Sequence, residues 1–91
     1  MFVLVVYDIS SDKRRTKLHD TLLDYGTPVQ YSVFECIVDA ERLNKMKQAV
    51  NKVIKPTKDR VRFYYLCQRC LARTEVTSGP EVLHESEAIV I

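Results

Sequence analysis

The chain begins with a continuous apolar run, which is followed by a segment with a helical hydrophobic repeat. Residues 2–7 are all apolar or aromatic, a pattern that predicts a central β-strand covered on both faces. The next segment repeats apolar residues every three or four positions, which predicts a helix capped by Ser10 or Ser11 and ended by Gly26 and Pro28. Its inward positions are Arg15, Leu18, Leu22 and Tyr25.

The second part of the chain repeats this alternation. Residues 29–38 predict a strand that Gln30 and Ser32 interrupt, and Asp39 predicts the cap of a second helix that Pro56 closes. The buried stripe of that helix is Leu43, Met46, Val50 and Val53, and its lysines, Lys45, Lys47, Lys52 and Lys55, lie mostly outside the stripe. Further strands are predicted over 60–67, 73–77 and 88–91.

The element order β-α-β-α-β-β predicts a ferredoxin-like α+β domain, with both helices on one face of an antiparallel sheet. A first strand that is apolar on both sides cannot leave the other face in water. We therefore expect a homodimer in which a two-fold-related copy covers that face. The predicted domain spans 1–80, and 81–91 form an acidic tail whose short terminal strand pairs along a sheet edge.

Composition narrows the class of protein. The chain has 91 residues, of which 46% are hydrophobic and 29% charged, typical of one small soluble domain. Its longest clean apolar run is too short to cross a membrane, so we expect a cytoplasmic protein without a membrane partner. All fourteen Lys and Arg residues precede position 81, together with nine of the twelve acidic residues. This excess of positive charge in residues 1–80 is compatible with a polyanionic partner, although an excess of this size is also common in proteins that need it only for solubility.

Asp8 is the most informative candidate residue, because it ends the buried first strand and a basic helix start follows at once. A carboxylate in that position is costly unless a cation or a helix N-terminus meets it. Asp8 is therefore either a metal ligand, a cap of the first helix or the ion-pair partner of Arg14 or Arg15. Those two arginines sit unfavourably at a helix N-terminus, which points to an anionic partner.

Several motifs, taken in order and spacing, resemble the Cas2 family of small CRISPR-associated adaptation proteins, partners of the spacer integrase. The matching segments are Tyr7-Asp8-Ile9, Arg14-Arg15, Gly26, Gln30-Tyr31-Ser32-Val33-Phe34-Glu35 and Arg62-Phe63-Tyr64. Each motif is weak alone, but their order in a chain of this length is specific.

The resemblance implies a ferredoxin-like homodimer with Mg²⁺-dependent nuclease activity on RNA or DNA. It also implies a scaffold role, in which the dimer binds duplex DNA at the centre of a complex with the integrase. By the family's motif, Asp8 is the metal ligand and catalytic residue. Arg15 is the second catalytic candidate, and Arg14, Arg15 and Lys17 are the nucleic-acid-binding candidates, with Lys17 where some members have arginine.

Three hypotheses stay open at this point: a metal-dependent phosphodiesterase, a non-catalytic DNA-binding scaffold, and an unrelated ferredoxin-like regulatory domain. The scaffold is favoured as the biological role, because one carboxylate without an accompanying histidine supplies few of the groups that an active site needs. Two Asp8 carboxylates, brought together by two-fold symmetry, would strengthen the enzyme hypothesis.

Other candidates have simpler structural explanations. Phe34 is predicted to be a core residue rather than a platform for base stacking, and Ser10 to be a helix cap. Cys67 and Cys70 resemble half a zinc site, but the sequence has no second pair. We expect buried, inert thiols at a hairpin, with a dimer-bridging Zn²⁺ as the alternative.

Overall fold

The computed structural model describes residues 1–83, and the predicted strand over 88–91 lies outside them. The elements are β1 (Phe2–Asp8), α1 (Asp12–Leu22), β2 (Gly26–Gln30), β3 (Val33–Ile37), α2 (Ala40–Val53), β4 (Arg60–Leu66) and α3 (Gln68–Ala72). None of the helices in this part of the chain is long and apolar enough to cross a membrane.

Four of these elements form one sheet with the strand order β2-β3-β1-β4. Every neighbouring pair is antiparallel, and β1 lies between β3 and β4, pairing with β4 over its whole length and with β3 from Phe2 to Val6. The two long helices pack side by side on one face of the sheet. The ferredoxin-like α+β fold is therefore confirmed, as is the central position of the first strand.

The core lies between the sheet and the two long helices. Alternate side chains of β1 point to the helices, because successive strand residues face opposite sides of a sheet. Phe34 on β3 is 1% exposed and belongs to this core, as predicted. The helices contribute Leu18, Leu22, Leu43, Met46 and Val50, all buried. The predicted stripe of α2 is thus confirmed, with Val53 packing at its margin.

The other face of the sheet carries no helix, and we call it the helix-free face. Residues 74–83 have no regular secondary structure and lie over part of it, near Leu4 and Val33. Glu35 is buried there and accepts a hydrogen bond from the backbone N–H of Leu83. Tyr64 of β4 remains 42% exposed. The chain's own segment thus covers part of the surface for which the sequence predicts a second copy.

Two strand predictions are wrong. Residues 29–38 contain the end of β2 and the whole of β3, because Tyr31 and Ser32 make a tight turn in which Ser32 has a φ of 62°. The predicted return strand over 73–77 is absent from the described part of the chain. Helix α3 occupies 68–72 instead, and the backbone N–H of Thr74 closes its last turn on Leu71.

Gly26 starts β2 rather than ending the first helix, which stops at Leu22. A side chain at position 26 would collide with the Cys36 sulfur and the Glu35 carbonyl, so only glycine allows this close strand contact. Pro28 is also inside β2, where it is tolerated because β2 is an edge strand.

Candidate functional site

Asp8 is the last residue of β1 and lies opposite Arg60 of β4 in the strand register. It follows Leu4 and Val6 on the side of β1 that looks toward the helix-free face. The residue is exposed and has no ion pair within 4.0 Å among residues 1–83. The structure therefore leaves this carboxylate accessible at the end of the central strand.

The structure contradicts two of the explanations for Asp8, the helix cap and the ion pair with Arg14 or Arg15. Helix α1 is capped by Ser11, whose hydroxyl accepts a hydrogen bond from the backbone N–H of Arg14 at 3.3 Å. Arg14 pairs with Asp59 and Arg15 pairs with Asp12. Asp8 is thus neither the helix cap nor the ion-pair partner of these arginines. Ser11, rather than Ser10, is the cap.

Arg14 is held in a bidentate ion pair with Asp59, from the loop that precedes β4. Its Nε lies 2.8 Å from Asp59 Oδ2 and its Nη2 lies 3.0 Å from Oδ1. The backbone N–H groups of Ser10 and Lys55 also donate to this carboxylate, at 3.2 Å and 2.9 Å. The Asp59 side chain is fully buried, so a charged group there needs these partners.

This network changes the charge chemistry of its members. The hydrogen bond from Arg14 holds the pKa of the Asp59 carboxyl well below its ordinary value, and the two backbone N–H donors lower it further. Arg14 Nη1 has no hydrogen bond among residues 1–83. The prediction that Arg14 contacts phosphate is untested, and the geometry leaves only this nitrogen unengaged.

Arg15 lies half-buried on the side of α1 that faces the turn between β2 and β3. Its Nη1 donates to Asp12 Oδ1 at 2.6 Å and its Nη2 donates to the Ile9 carbonyl at 2.7 Å. The pKa of Arg15 is raised first by the hydrogen bond to Asp12 and then by the nearby Tyr31, Asp12 and Asp8 side chains. The Arg15 guanidinium is therefore held in one orientation, and its charge interacts with that of Asp8.

Lys17 is on a different side of α1 and contributes to a groove between the two long helices. The groove has a volume of about 460 Å³, and Lys45 and Lys52 of α2 also line it. Lys45 is 3.4 Å from Glu41, whereas neither Lys17 nor Lys52 has an ion pair in the described part of the chain. The fold thus gathers lysines that are far apart in sequence into one basic surface.

Comparison with known proteins decides the family. The family described as CRISPR associated protein Cas2 matches residues 1–74. The chain belongs to the Cas2 family. The match covers β1 to α3, including Asp8, Arg14, Arg15 and Lys17.

Individual relatives agree with this assignment. A protein named CRISPR-associated endoribonuclease Cas2 3 from Synechocystis sp. is 34% identical over 92 residues, covering 100% of both chains. A protein with the same name from Chloroflexus aurantiacus is 42% identical over 76 residues, covering 84% of this chain and 82% of its own.

Solved structures show the same fold. Cas2 from Streptococcus pyogenes is 34% identical with a TM-score of 0.76, covering 86% of this chain and 100% of its own. A chain of a partial Cas6-RT-Cas1–Cas2 complex is 28% identical with a TM-score of 0.77, covering 91% of each chain.

The two cysteines after β4 differ from expectation. Cys67 and Cys70 are exposed at the start of α3 rather than buried at a hairpin. The pKa of Cys67 is lowered by hydrogen bonds from the backbone N–H and the thiol of Cys70. Cys36 is buried, and burial raises its pKa to about 11. The buried thiol of this Cas2 family member is therefore Cys36. Of the two exposed cysteines, Cys67 has the lowered pKa, whereas the hydrogen bond to Cys67 raises the pKa of Cys70.

The donor atoms around Asp8 limit how a metal could bind. No group of three or more His, Cys, Asp or Glu side chains in residues 1–83 is arranged to hold a metal ion. Asp8 supplies carboxylate oxygens, the ligand type that Mg²⁺ prefers. One protomer thus fits Mg²⁺ only with further oxygen ligands from water, phosphate or a second protomer.

Proposed function

We propose that this protein acts in CRISPR spacer acquisition, as a homodimeric nucleic-acid-binding scaffold for a Cas1-containing integrase. We also propose that Asp8 gives it Mg²⁺-dependent phosphodiesterase activity on RNA or DNA. The observation that carries the proposal is the Cas2 family match over residues 1–74, with Asp8 exposed and unpaired beside Arg15. The same match argues against an unrelated ferredoxin-like regulatory domain.

The enzymatic part of the proposal rests on Asp8 and Arg15. Asp8 of each protomer would hold Mg²⁺, which would supply charge stabilisation for phosphodiester hydrolysis. Arg15 would bind the phosphate, since its guanidinium is already oriented by Asp12 and Ile9. The names of the Synechocystis and Chloroflexus relatives support an endoribonuclease.

The scaffold part of the proposal rests on the basic surfaces and on the partial Cas6-RT-Cas1–Cas2 complex. Lys17 would contact the phosphates of duplex DNA from the groove between α1 and α2. Arg15, and Arg14 through its remaining nitrogen, would add contacts at the start of α1. Phosphate contacts carry no base information, which suits a protein that must accept many spacer sequences.

Dimerisation is expected through the helix-free face. Asp8 follows Leu4 and Val6 on that side of β1, so a two-fold axis there would bring the Asp8 residues of two protomers toward each other. Tyr64, which is 42% exposed on the same side of β4, would become buried against the partner.

Tyr64→Glu is expected to convert the dimer to a monomer, because it would bury a charge in the interface. Tyr65→Glu is the matched control. Tyr65 is the next residue of β4, is 51% exposed and points to the helix side, where Lys47 lies over its ring. Light scattering at micromolar concentration should give twice the chain mass for the wild type and for Tyr65→Glu. A wild-type monomer would refute the dimer.

Lys17→Gln and Arg15→Gln are each expected to weaken binding to duplex DNA of any sequence. Each lost phosphate contact should make the log–log salt dependence of the binding constant shallower by about 0.9. Fluorescence anisotropy with one labelled duplex at several salt concentrations measures both quantities.

Lys58→Gln is the matched control for this experiment, because it removes one exposed positive charge from the loop before β4. Its slope should equal that of the wild type. An equal loss of affinity in all three variants would show that binding depends only on the net charge of the protein. Unchanged slopes in Lys17→Gln and Arg15→Gln would show that neither residue contacts the DNA.

A further inference from the structure

A cavity of about 290 Å³ lies between α1 and the turn that joins β2 to β3, next to the candidate site. Residues of different chemistry line it, and those that matter here are Tyr7, Arg15, His19, Gln30, Tyr31 and Ser32. The lining therefore combines aromatic rings with cationic and hydrogen-bonding groups. Such a combination suits a ligand that has a flat apolar face and a polar edge.

Tyr31 stands out among the aromatic residues of the described chain. It is 79% exposed, whereas Phe34 in the same segment is 1% exposed and Tyr7 is 6% exposed. An aromatic ring displayed at the tip of a turn contributes nothing to the core. Its face is available to a planar ligand.

The turn that presents Tyr31 is strained and fixed in place. Ser32 has a φ of 62°, in the left-handed region that favours glycine or asparagine. The Ser32 carbonyl accepts a hydrogen bond from the backbone N–H of Tyr7 at 3.1 Å, which ties the turn to the end of β1. An irregularity between Pro28 and Gln30 also shifts the register just before the turn. Such strain and bulges occur where a side chain must be aimed at a ligand.

The polar groups that line the cavity are complementary to a nucleotide. The Arg15 guanidinium is oriented by its bonds to Asp12 and the Ile9 carbonyl, and it provides a cation for a phosphate. The His19 ring packs edge-on against Phe34, with the ring centroids 5.2 Å apart, and its side chain is 44% exposed. Gln30 is exposed beside it and offers an amide that can pair with a base edge.

We propose that this cavity binds one unstacked nucleobase of a single-stranded nucleic acid, stacked on Tyr31, with the adjoining phosphate on Arg15. The inference rests on the proposed function, because it assigns part of the substrate to the same site. A base inside a duplex is already stacked on its neighbours, so the cavity selects unpaired segments or strand ends. The bound strand would also pass near Asp8, because the charge of Asp8 acts on Arg15.

The test is binding of a short single strand that carries one 2-aminopurine, in the presence of a chelator so that no cleavage occurs. The wild type should quench the 2-aminopurine fluorescence by stacking. Tyr31→Ala should bind about 5- to 160-fold more weakly and lose the quenching, as expected for one lost stacking contact. Tyr31→Phe should keep both, because the ring and not the hydroxyl makes the contact. Circular dichroism should show an unchanged fold, since Tyr31 packs against little.

Two controls separate the outcomes. Tyr65→Ala removes another exposed tyrosine, on β4 at the opposite edge of the sheet from β2, and should bind the single strand as the wild type does. A duplex of the same sequence should bind Tyr31→Ala and the wild type equally. Unchanged single-strand affinity in Tyr31→Ala, or no quenching by the wild type, would overturn the cavity proposal while duplex binding still supported the proposed function. A wild-type protein that binds neither nucleic acid would overturn both.

Discussion

Asp8→Asn should abolish Mg²⁺-dependent cleavage of nucleic acid, while the protein stays folded and still binds duplex DNA. The substitution keeps the size of the side chain but removes the charge that a hard cation requires. Stability should change by about 0.5 kcal/mol or less, because Asp8 is exposed and has no ion pair among residues 1–83. Cleavage of labelled RNA and DNA strands, with Mg²⁺ and with a chelator, measures the effect.

Asp24→Asn is the control for this experiment, because it removes an exposed carboxylate just beyond the other end of α1. It should cleave as the wild type does. If purified Asp8→Asn retained full activity, the cleavage would come from another site or a contaminant, and the phosphodiesterase part of the proposal would fail. Continued duplex binding by the same variant would leave the scaffold part intact.

The fold could be predicted where burial imposes a local period. The apolar run of 2–7 predicts a central strand, and β1 lies between β3 and β4 with Val3 and Val5 buried. The three-four repeat of α2 predicts a helix with one buried face. The burial of Phe34 is predicted from its residue type, because a phenylalanine is more often a core residue than an exposed platform. These signals are short-range, so the sequence alone contains them.

The turn at Tyr31 and Ser32 could not be predicted from local chemistry. Two-residue hairpin turns favour glycine or asparagine, and here a serine adopts the left-handed conformation instead. The strained position is adjacent to the exposed Tyr31, where we place a nucleobase. Helix α3 was missed for a related reason, because its five residues have no amphipathic repeat that could be recognised.

The candidate site was partly predictable. The position of Asp8 follows from the end of the apolar run, and the nearness of Arg15 follows from the helix period. The partner of Arg14 does not, since Asp59 is 45 residues away and no pattern marks it except a lone acid in a basic loop. The unfavourable arginines at the start of α1 are also offset within the chain, by Asp59 and Asp12, rather than only by an external anion.

Asp59→Ala is expected to lower the melting temperature by on the order of 10 °C at neutral pH. The substitution leaves Arg14 without its partner and leaves the backbone N–H groups of Ser10 and Lys55 without an acceptor. The matched control is Asp39→Ala, which removes the exposed cap of α2 and breaks a single hydrogen bond, to the Arg42 N–H. It should cost about 1 kcal/mol, a clearly smaller shift.

The effect of Asp59→Ala should also depend on pH. Because the pKa of Asp59 is depressed in the folded state, its contribution is fully present above the ordinary value of 3.8 and is lost as the pH falls toward the folded value. The difference in melting temperature between the wild type and Asp59→Ala should therefore narrow below about pH 4. If Asp59→Ala instead melted no lower than Asp39→Ala, the ion pair between Arg14 and Asp59 would not stabilise the packing of α1 against the loop before β4. Arg14 would then be free to contact phosphate with its whole guanidinium group.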